Sequence, residues 1–193
     1  MSKRESHEQP LKRDIIEILI TQEAIQQRVA EMGAEVTRTY EGTLPLLVGV
    51  LKGSTLFMAD LVRHMDIPVE MDFMAIAGYG GGQQSSGAVR ITKDLDCVIE
   101  GRDVLLIEGI VDTGMTIGYL LRNLEARQPR SIRLCTLVDK PARRIMRVPI
   151  AFRGFKIPDR FVVGYGLDFR QLYRNLPYIG VLSDVVTGLN RGQ

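Results

Sequence analysis

Val104-Leu105-Leu106-Ile107-Glu108-Gly109-Ile110-Val111-Asp112-Thr113-Gly114-Met115-Thr116 is the stretch on which the reading of this chain rests. The apolar run Val104 to Ile107 fits a strand covered on both faces. It passes at once into a turn with two carboxylates that closes on Thr-Gly-x-Thr, and a helix follows from about Thr116 to Ala126. Doubly wound sheets bind ligands at the carboxyl ends of their strands. Backbone N–H groups at a helix start, the Thr113 and Thr116 hydroxyls, and a Gly114 that permits close approach make an anion cradle suited to a monophosphate. Glu108 and Asp112 would repel that phosphate, so they suit sugar hydroxyls, Mg²⁺ or a proton in transit. The stretch therefore reads as a site for a phosphorylated sugar. It lacks the Gly-Lys-Thr/Ser of a Walker A loop, and no G-x-G-x-x-G follows a strand. A plain strand-to-helix connection capped by Asp112 uses the same residue types without a ligand.

Outward from this stretch, strands and helices alternate. Asp14 to Ile20 is a short strand or extended entry, and Thr21 caps a helix from Gln22 to about Tyr40 with Ile25, Val29, Met32 and Val36 on one face. Leu46 to Leu51 is a buried strand broken by Lys52-Gly53-Ser54, and the next helix carries Leu56, Phe57, Leu61 and Met65. Val69 to Ala77 is a strand, 78–88 a mobile Gly/Ser-rich loop, and Ala88 to Thr92 a resumed strand. Long loops inside compact domains are often lids over sites. Ile132 to Val138, Phe161 to Tyr165 and Ile179 to Leu182 complete the strands. The class is α/β, a mostly parallel twisted sheet flanked by helices, in one domain over 1–193 with a mobile tail at 1–13.

The chain has 193 residues, 45% hydrophobic and 25% charged, with a net charge of +2. A folded chain of this size buries roughly 70% of its unfolded surface, enough for a core, and the apolar content excludes a disordered protein. The balanced charge argues against nucleic acid as partner. Cys97 and Cys135 make no disulfide framework and no C-x-x-C metal knuckle, so they read as small buried hydrophobes. The two histidines, His7 and His64, sit in a polar tail and after Leu61-Val62-Arg63, where neither suggests catalysis. No run of 18 apolar residues and no apolar leader core occur, so the expectation is a cytoplasmic protein with no membrane association.

Residues 104–116 resemble the phosphoribosyl-diphosphate motif of type I phosphoribosyltransferases. Further segments narrow the resemblance to the hypoxanthine (hypoxanthine-guanine) phosphoribosyltransferases. Leu51-Lys52-Gly53-Ser54 resembles their diphosphate loop, and Tyr79 with the Gly-rich stretch their lid. Val89 to Asp96 resembles the segment after that lid. Leu137-Val138-Asp139-Lys140 resembles the base-reading strand. Phe161 to Asp168 and Tyr173 to Pro177 resemble the C-terminal part of a small hood, about 155–180, built with the chain ends. The resemblance covers about 14–183.

It implies that Thr113, Gly114, Met115 and Thr116 hold the 5-phosphate. Glu108 binds ribose hydroxyls and helps place Mg²⁺, and Asp112 is the general base at purine N7. Lys52 and Gly53 meet the diphosphate, with a non-proline cis peptide at Leu51-Lys52. Tyr79 belongs to the closing lid. Lys140 donates to purine O6, Phe161 stacks on the base, and the Val162 backbone bonds its edge. Asp168 holds a second Mg²⁺ through water, and Arg174 clamps the diphosphate. The implied activity is Mg²⁺-dependent purine salvage from phosphoribosyl diphosphate and a 6-oxopurine base to a nucleoside monophosphate and diphosphate, by a homodimer or homotetramer. The basic run Lys140-Pro141-Ala142-Arg143-Arg144 reads as a solvated turn with only Lys140 directed at ligand.

Two positions depart from the family's pattern. Gly109 stands where an Asp is usual, and Gly78 precedes Tyr79 where a Ser is usual. One lost charge-assisted hydrogen bond is worth about 1.5–3 kcal/mol. The expectation is weakened sugar-diphosphate binding with chemistry intact, so that an Asp at 109 lowers the apparent Michaelis constant. The same departures leave open a non-catalytic nucleotide-binding regulator on a degenerate version of the fold. A transferase preferring xanthine or guanine is a third reading.

Overall fold

The computed structural model describes residues 13–77 and 90–188. In chain order the elements are β1 (Ile15–Ile20), α1 (Gln22–Thr39), β2 (Leu46–Leu51), α2 (Thr55–Val62), β3 (Glu70–Ala77), β4 (Arg90–Lys93), β5 (Asp103–Val111), α3 (Met115–Glu125), β6 (Ser131–Asp139), β7 (Ile150–Lys156), β8 (Val162–Val163), β9 (Ile179–Leu182) and α4 (Asp184–Thr187). A six-stranded sheet runs in the order β4-β3-β2-β5-β6-β7. Its strands are parallel except β4, which pairs antiparallel with β3. A second sheet, β1-β9-β8, is antiparallel and joins the two ends of the described chain.

The two faces of the large sheet bury different helices. Ile25, Val29, Met32 and Val36 of α1 and Phe57, Met58 and Leu61 of α2 pack with Leu47, Leu105 and Ile107. Ile117, Leu120, Leu121 and Leu124 of α3 pack on the other face with Val48, Val104 and Leu106. The i, i+4 spacing in α1 supplies its buried stripe. Its start is fixed by the Thr21 hydroxyl, which accepts from the Ala24 N–H at 3.2 Å, a cap worth about 1 kcal/mol.

After β2 the chain moves through α2 to β3 on one side. After β5 it moves through α3 to β6 on the other. The switch point therefore lies between β2 and β5, where open α/β sheets bind ligands. The pairing of β2 with β5 ends at Gly49 with Ile107, while β5 stays paired with β6 as far as Val111 with Asp139. The two central strands thus part at their carboxyl ends and open a crevice.

Three expectations need correction. The strand at 104–107 continues to Val111, because β6 goes on supplying partners after β2 has left. The strand β7 was not expected. Its sequence, Ile-Ala-Phe-Arg-Gly-Phe-Lys, buries only Phe152 at the sheet edge, too little apolar pattern to read as a strand. Residues 155 and 156 accordingly end the large sheet instead of opening the hood. The strand expected over Phe161 to Tyr165 shrinks to Val162–Val163, since Gly164, Tyr165 and Gly166 all adopt positive φ (101°, 47° and 95°) and turn the chain back. The lid at 78–88 and the tail at 1–12 lie outside the described residues.

Candidate active site

A cleft of about 630 Å³ occupies the crevice at the carboxyl ends of the central strands. Lys52 and Gly53 reach it from the end of β2, Glu108 and Asp112 from β5, and Lys140 from β6. Phe161, Val162, Asp168 and Arg174 close it from the hood side. A smaller recess of about 160 Å³ adjoins it, lined by Glu108, Asp112, Thr113, Gly114 and Thr116 among others. Every described residue expected at the site lines one of these spaces except Met115. Met115 opens α3, is 41% exposed, and donates its N–H to the Thr113 hydroxyl at 3.4 Å. Tyr79 and Gly78 lie outside the described residues.

The recess is built from the start of α3. Gly114 precedes the helix at φ 83°, and a Cβ there would lie 2.3 Å from the Met146 carbonyl oxygen, so only glycine fits. The first turn of α3 carries no acidic residue, leaving the positive end of its dipole uncompensated. The Thr113 carbonyl accepts from the N–H groups of Ile145 and Met146 at 2.9 and 3.0 Å, which ties the cradle to the segment after β6.

Asp112 stands where the cleft and the recess meet, since it lines both. Its Oδ2 faces the Arg143 guanidinium at 3.5 Å and the Lys140 ammonium at 3.9 Å. Its Oδ1 is buried with no hydrogen-bond partner among the described residues. A buried carboxylate oxygen without a donor is costly, and a ligand N–H or O–H would satisfy it. Glu108 accepts from the Gly109 N–H at 2.8 Å. Burial pushes its carboxyl up to about 7, against the opposing pull of the Gly109 and Ile110 N–H groups.

The cleft differs in wetness from end to end. Lys140 is only 4% exposed and Val162 6%. Phe161 meets Phe169 edge-to-face at 5.5 Å between centroids, which fixes its ring beside the cleft. Lys52 at the opposite end is exposed, and the Leu51–Lys52 peptide is cis. Arg174 there pairs with Asp168 at 2.8 Å and donates to the Gly166 carbonyl at 2.7 Å.

The basic run after β6 is only in part a solvated turn: Pro141, Ala142 and Arg143 are exposed, but its two arginines turn to the protein. Arg143 reaches Asp112, and Arg144 folds inward. Arg144 donates to the Asp112 carbonyl at 3.1 Å and the Val111 carbonyl at 3.3 Å, and it pairs with the buried Asp139 carboxylate, which also meets Arg153 at 2.8 Å. Arg143, Arg144, Asp139 and Gln171 are the residues that sequence reasoning missed. Two arginines shortly after Lys140 were the available signal, but a fork that bonds backbone carbonyls 32 and 33 residues away leaves no spacing rule to read.

A family model described as a phosphoribosyl transferase domain matches residues 17–170, most of the chain. The chain belongs to the phosphoribosyltransferase family. It is 52% identical over 176 residues to the hypoxanthine-guanine phosphoribosyltransferase of Bacillus subtilis, covering 91% of this chain and 98% of that one. A solved hypoxanthine phosphoribosyltransferase of Staphylococcus aureus superposes with a TM-score of 0.86 at 47% identity, covering 91% of this chain and 96% of that one. A solved hypoxanthine-guanine-xanthine phosphoribosyltransferase superposes at 0.81 with 41% identity, covering 89% and 99%. As a phosphoribosyltransferase, this chain has its cleft at the switch point, with an anion cradle adjoining it and a buried lysine facing Asp112 where the two meet.

Proposed function

We propose that this chain transfers the 5-phosphoribosyl group from phosphoribosyl diphosphate to N9 of hypoxanthine and guanine, giving inosine and guanosine monophosphate and diphosphate. One observation carries the reading. Asp112 lies at the junction of the phosphate recess and the cleft, with Oδ1 buried and unpartnered. That is where an acid–base group must stand if a base and a phosphorylated ribose meet there. Relatives that share about half of the sequence carry the corresponding name.

The roles follow from position and charge. The N–H groups opening α3 and the Thr113 and Thr116 hydroxyls hold the 5-phosphate. Glu108 accepts from ribose hydroxyls. Asp112 takes the purine N7 proton on its free oxygen, which raises the electron density available at N9. Lys140, nearly dehydrated, donates to O6, and a cation there disfavours the 6-amino group of adenine. Phe161 stacks on the base and the Val162 backbone meets its edge. Departure of diphosphate from C1 leaves positive charge on the ribose and several negative charges on the leaving group, which Lys52, the Gly53 backbone and Arg174 receive. These roles favour an enzyme over a nucleotide-binding regulator, which needs no unpartnered carboxylate at the junction.

Mg²⁺ fits the donor set. Among the described residues no three His, Cys, Asp or Glu cluster to cage a metal by themselves. Glu108 and Asp168 supply hard oxygens along the cleft, and Mg²⁺ is commonly held by one or two carboxylates together with substrate phosphates. When bound it would neutralise the diphosphate charge. We place the enzyme in the cytoplasm as a homodimer or homotetramer; two unpaired cysteines, Cys97 and Cys135, suit a reducing compartment.

The test is a spectrophotometric assay with phosphoribosyl diphosphate, Mg²⁺ and hypoxanthine, guanine, xanthine or adenine in turn. Turnover of hypoxanthine and guanine but not adenine, lost on chelation of Mg²⁺ and in Asp112→Asn, is the expected result. No turnover of any base at millimolar sugar diphosphate would overturn the reading in favour of the regulator. Turnover of xanthine ahead of the other bases would move the preference.

A further inference from the structure

Gln171 lies in the turn between β8 and β9, in the left-handed backbone region at φ 68°, and lines the mouth of the cleft. Arg170 and Tyr173 on either side of it also have positive φ, at 51° and 73°. Such dense left-handed backbone in non-glycine residues is costly and tends to occur where a side chain must be aimed. The Gln171 N–H donates to Asp168 Oδ2 at 2.9 Å, which fixes the turn.

Its side chain then does something specific. The Gln171 carboxamide oxygen accepts from the Lys52 ammonium at 3.4 Å and from the Arg174 guanidinium at 3.1 Å. Lys52 and Gln171 are 119 residues apart, so the contact exists only because the hood comes down over the β2 end. A single neutral oxygen thus sits between the two cations assigned above to the leaving diphosphate. Arg174 also pairs with Asp168 and donates to the Gly166 carbonyl.

We infer that Gln171 is a surrogate ligand, whose carboxamide oxygen occupies the place of a diphosphate oxygen and competes with diphosphate for Lys52 and Arg174. This rests on the reading that those two cations receive diphosphate. When diphosphate enters, the carboxamide must leave; when diphosphate departs, the carboxamide takes the cations back. A neutral oxygen suits this task. Asp168 already holds one side of Arg174, so a second carboxylate at 171 would add to that hold, extend it to Lys52 and repel the incoming anion, whereas an empty gap would leave the product bound longer.

The experiment measures binding of inorganic pyrophosphate with Mg²⁺ to the full chain by titration calorimetry, in wild type, Gln171→Met, Gln171→Glu and Lys52→Met. Gln171→Met keeps the length of the side chain and removes the acceptor. It is expected to bind pyrophosphate roughly three- to tenfold more tightly, the worth of one net hydrogen bond. It should also show stronger inhibition by pyrophosphate in the forward reaction. Gln171→Glu is expected to bind more weakly than wild type, and unchanged melting temperatures would confirm that both variants fold. If Gln171→Met binds equally or less tightly while Lys52→Met weakens binding, Gln171 is a bystander or a direct ligand and the inference falls alone. If wild type binds pyrophosphate no better than Lys52→Met does, the diphosphate site itself is misassigned and the inference falls with it.

Discussion

Replacement of Gly109 by Asp sets the sequence expectation against the structure. Residue types alone say that a second carboxylate after Glu108 should regain a hydrogen bond worth about 1.5–3 kcal/mol and tighten the sugar diphosphate. The packing says otherwise. A Cβ at 109 would lie 2.9 Å from the Gly53 carbonyl oxygen, 3.2 Å from the Gly53 carbonyl carbon and 3.2 Å from Leu167 Cδ2. The Gly53 oxygen is main chain and cannot swing aside like a side-chain tip. It is also packed against Gly166, whose own Cβ would come within 2.3 Å of it. The Lys52–Gly53 turn is therefore seated between two glycine α-carbons, and any side chain at 109 displaces it. Overpacking of this kind costs about 1–3 kcal/mol.

The gain is also discounted. Burial already holds the Glu108 carboxyl up at about 7, and an adjacent carboxylate would raise the cost of ionising both. Gly109→Ala isolates the steric cost. If that cost falls on substrate binding, the Michaelis constant for phosphoribosyl diphosphate should rise roughly five- to 150-fold, with a smaller change in kcat. Gly109→Asp should give no constant below that of wild type. The assay is initial-rate kinetics at saturating hypoxanthine, with melting temperatures as a fold check. An unchanged constant in Gly109→Ala, together with a tenfold lower one in Gly109→Asp, would refute the packing argument and restore the carboxylate account.

Three further outcomes follow from the contacts. Arg144→Ala leaves Asp139 buried with Arg153 alone and frees the Asp112 carbonyl; it should cost about 3–5 kcal/mol in urea denaturation and lower kcat, with Arg144→Lys recovering only part of either. The Arg130 guanidinium and the Ser131 hydroxyl hold the Asp103 carboxyl below its ordinary 3.8, so its ionised form contributes stability above pH 3.8 that is lost as pH falls through the depressed value; Asp103→Asn should cost about 1.5–3 kcal/mol at pH 7, and the gap to wild type should narrow in acid denaturation as the pH falls below 3.8. Tyr165→Phe removes the hydroxyl that donates to Asp60 at 2.5 Å and should lower stability by about 1–3 kcal/mol, measured by thermal unfolding, because Asp60 loses the bond that ties α2 to the hood turn.

What could be read from sequence was whatever repeats or punctuates locally. The stripe of α1, the apolar run of β2, and Gly114 before α3 each obey a short-range rule, and each lies where that rule puts it. The end of β5 did not obey one. Whether Glu108 to Val111 is strand or turn depends on β6 staying after β2 has left, which is a fact about partners. β7 failed for the opposite reason: at the sheet edge it buries one residue and needs no apolar pattern. In the site, the expected residues that line the cleft and the recess sat in recognisable motifs. Arg144, paired with the Asp139 carboxylate, holds the turn at Asp112 through backbone carbonyls, and a carbonyl has no sequence signature. Gly109 was legible as a missing carboxylate and illegible as a packing position, because the atom it touches belongs to a loop 56 residues earlier in the chain.

The distribution of water along the cleft divides its cations into two kinds. Lys140, 4% exposed, has already lost its hydration and faces Asp112 at 3.9 Å. On the proposed role its interaction with a base oxygen is therefore strong, and a base that offers a donor there opposes the buried ammonium, which is how a site discriminates. Lys52 keeps its water and shares an acceptor with Arg174, so its attraction for an anion is partly offset before the anion arrives. Discrimination needs the dry end and turnover needs the wet one. A base must be chosen once, by a large difference in free energy, whereas diphosphate carries charge enough to bind anywhere cations are found and has to be let go. With the ends reversed, a buried lysine would hold the diphosphate as a trapped product, and a solvated lysine at O6 would lose most of its preference against adenine. The difference follows from the fold, since Lys140 comes directly after β6, which stays paired with β5 to Asp139, while Lys52 comes directly after β2, whose pairing with β5 has already ended at Gly49.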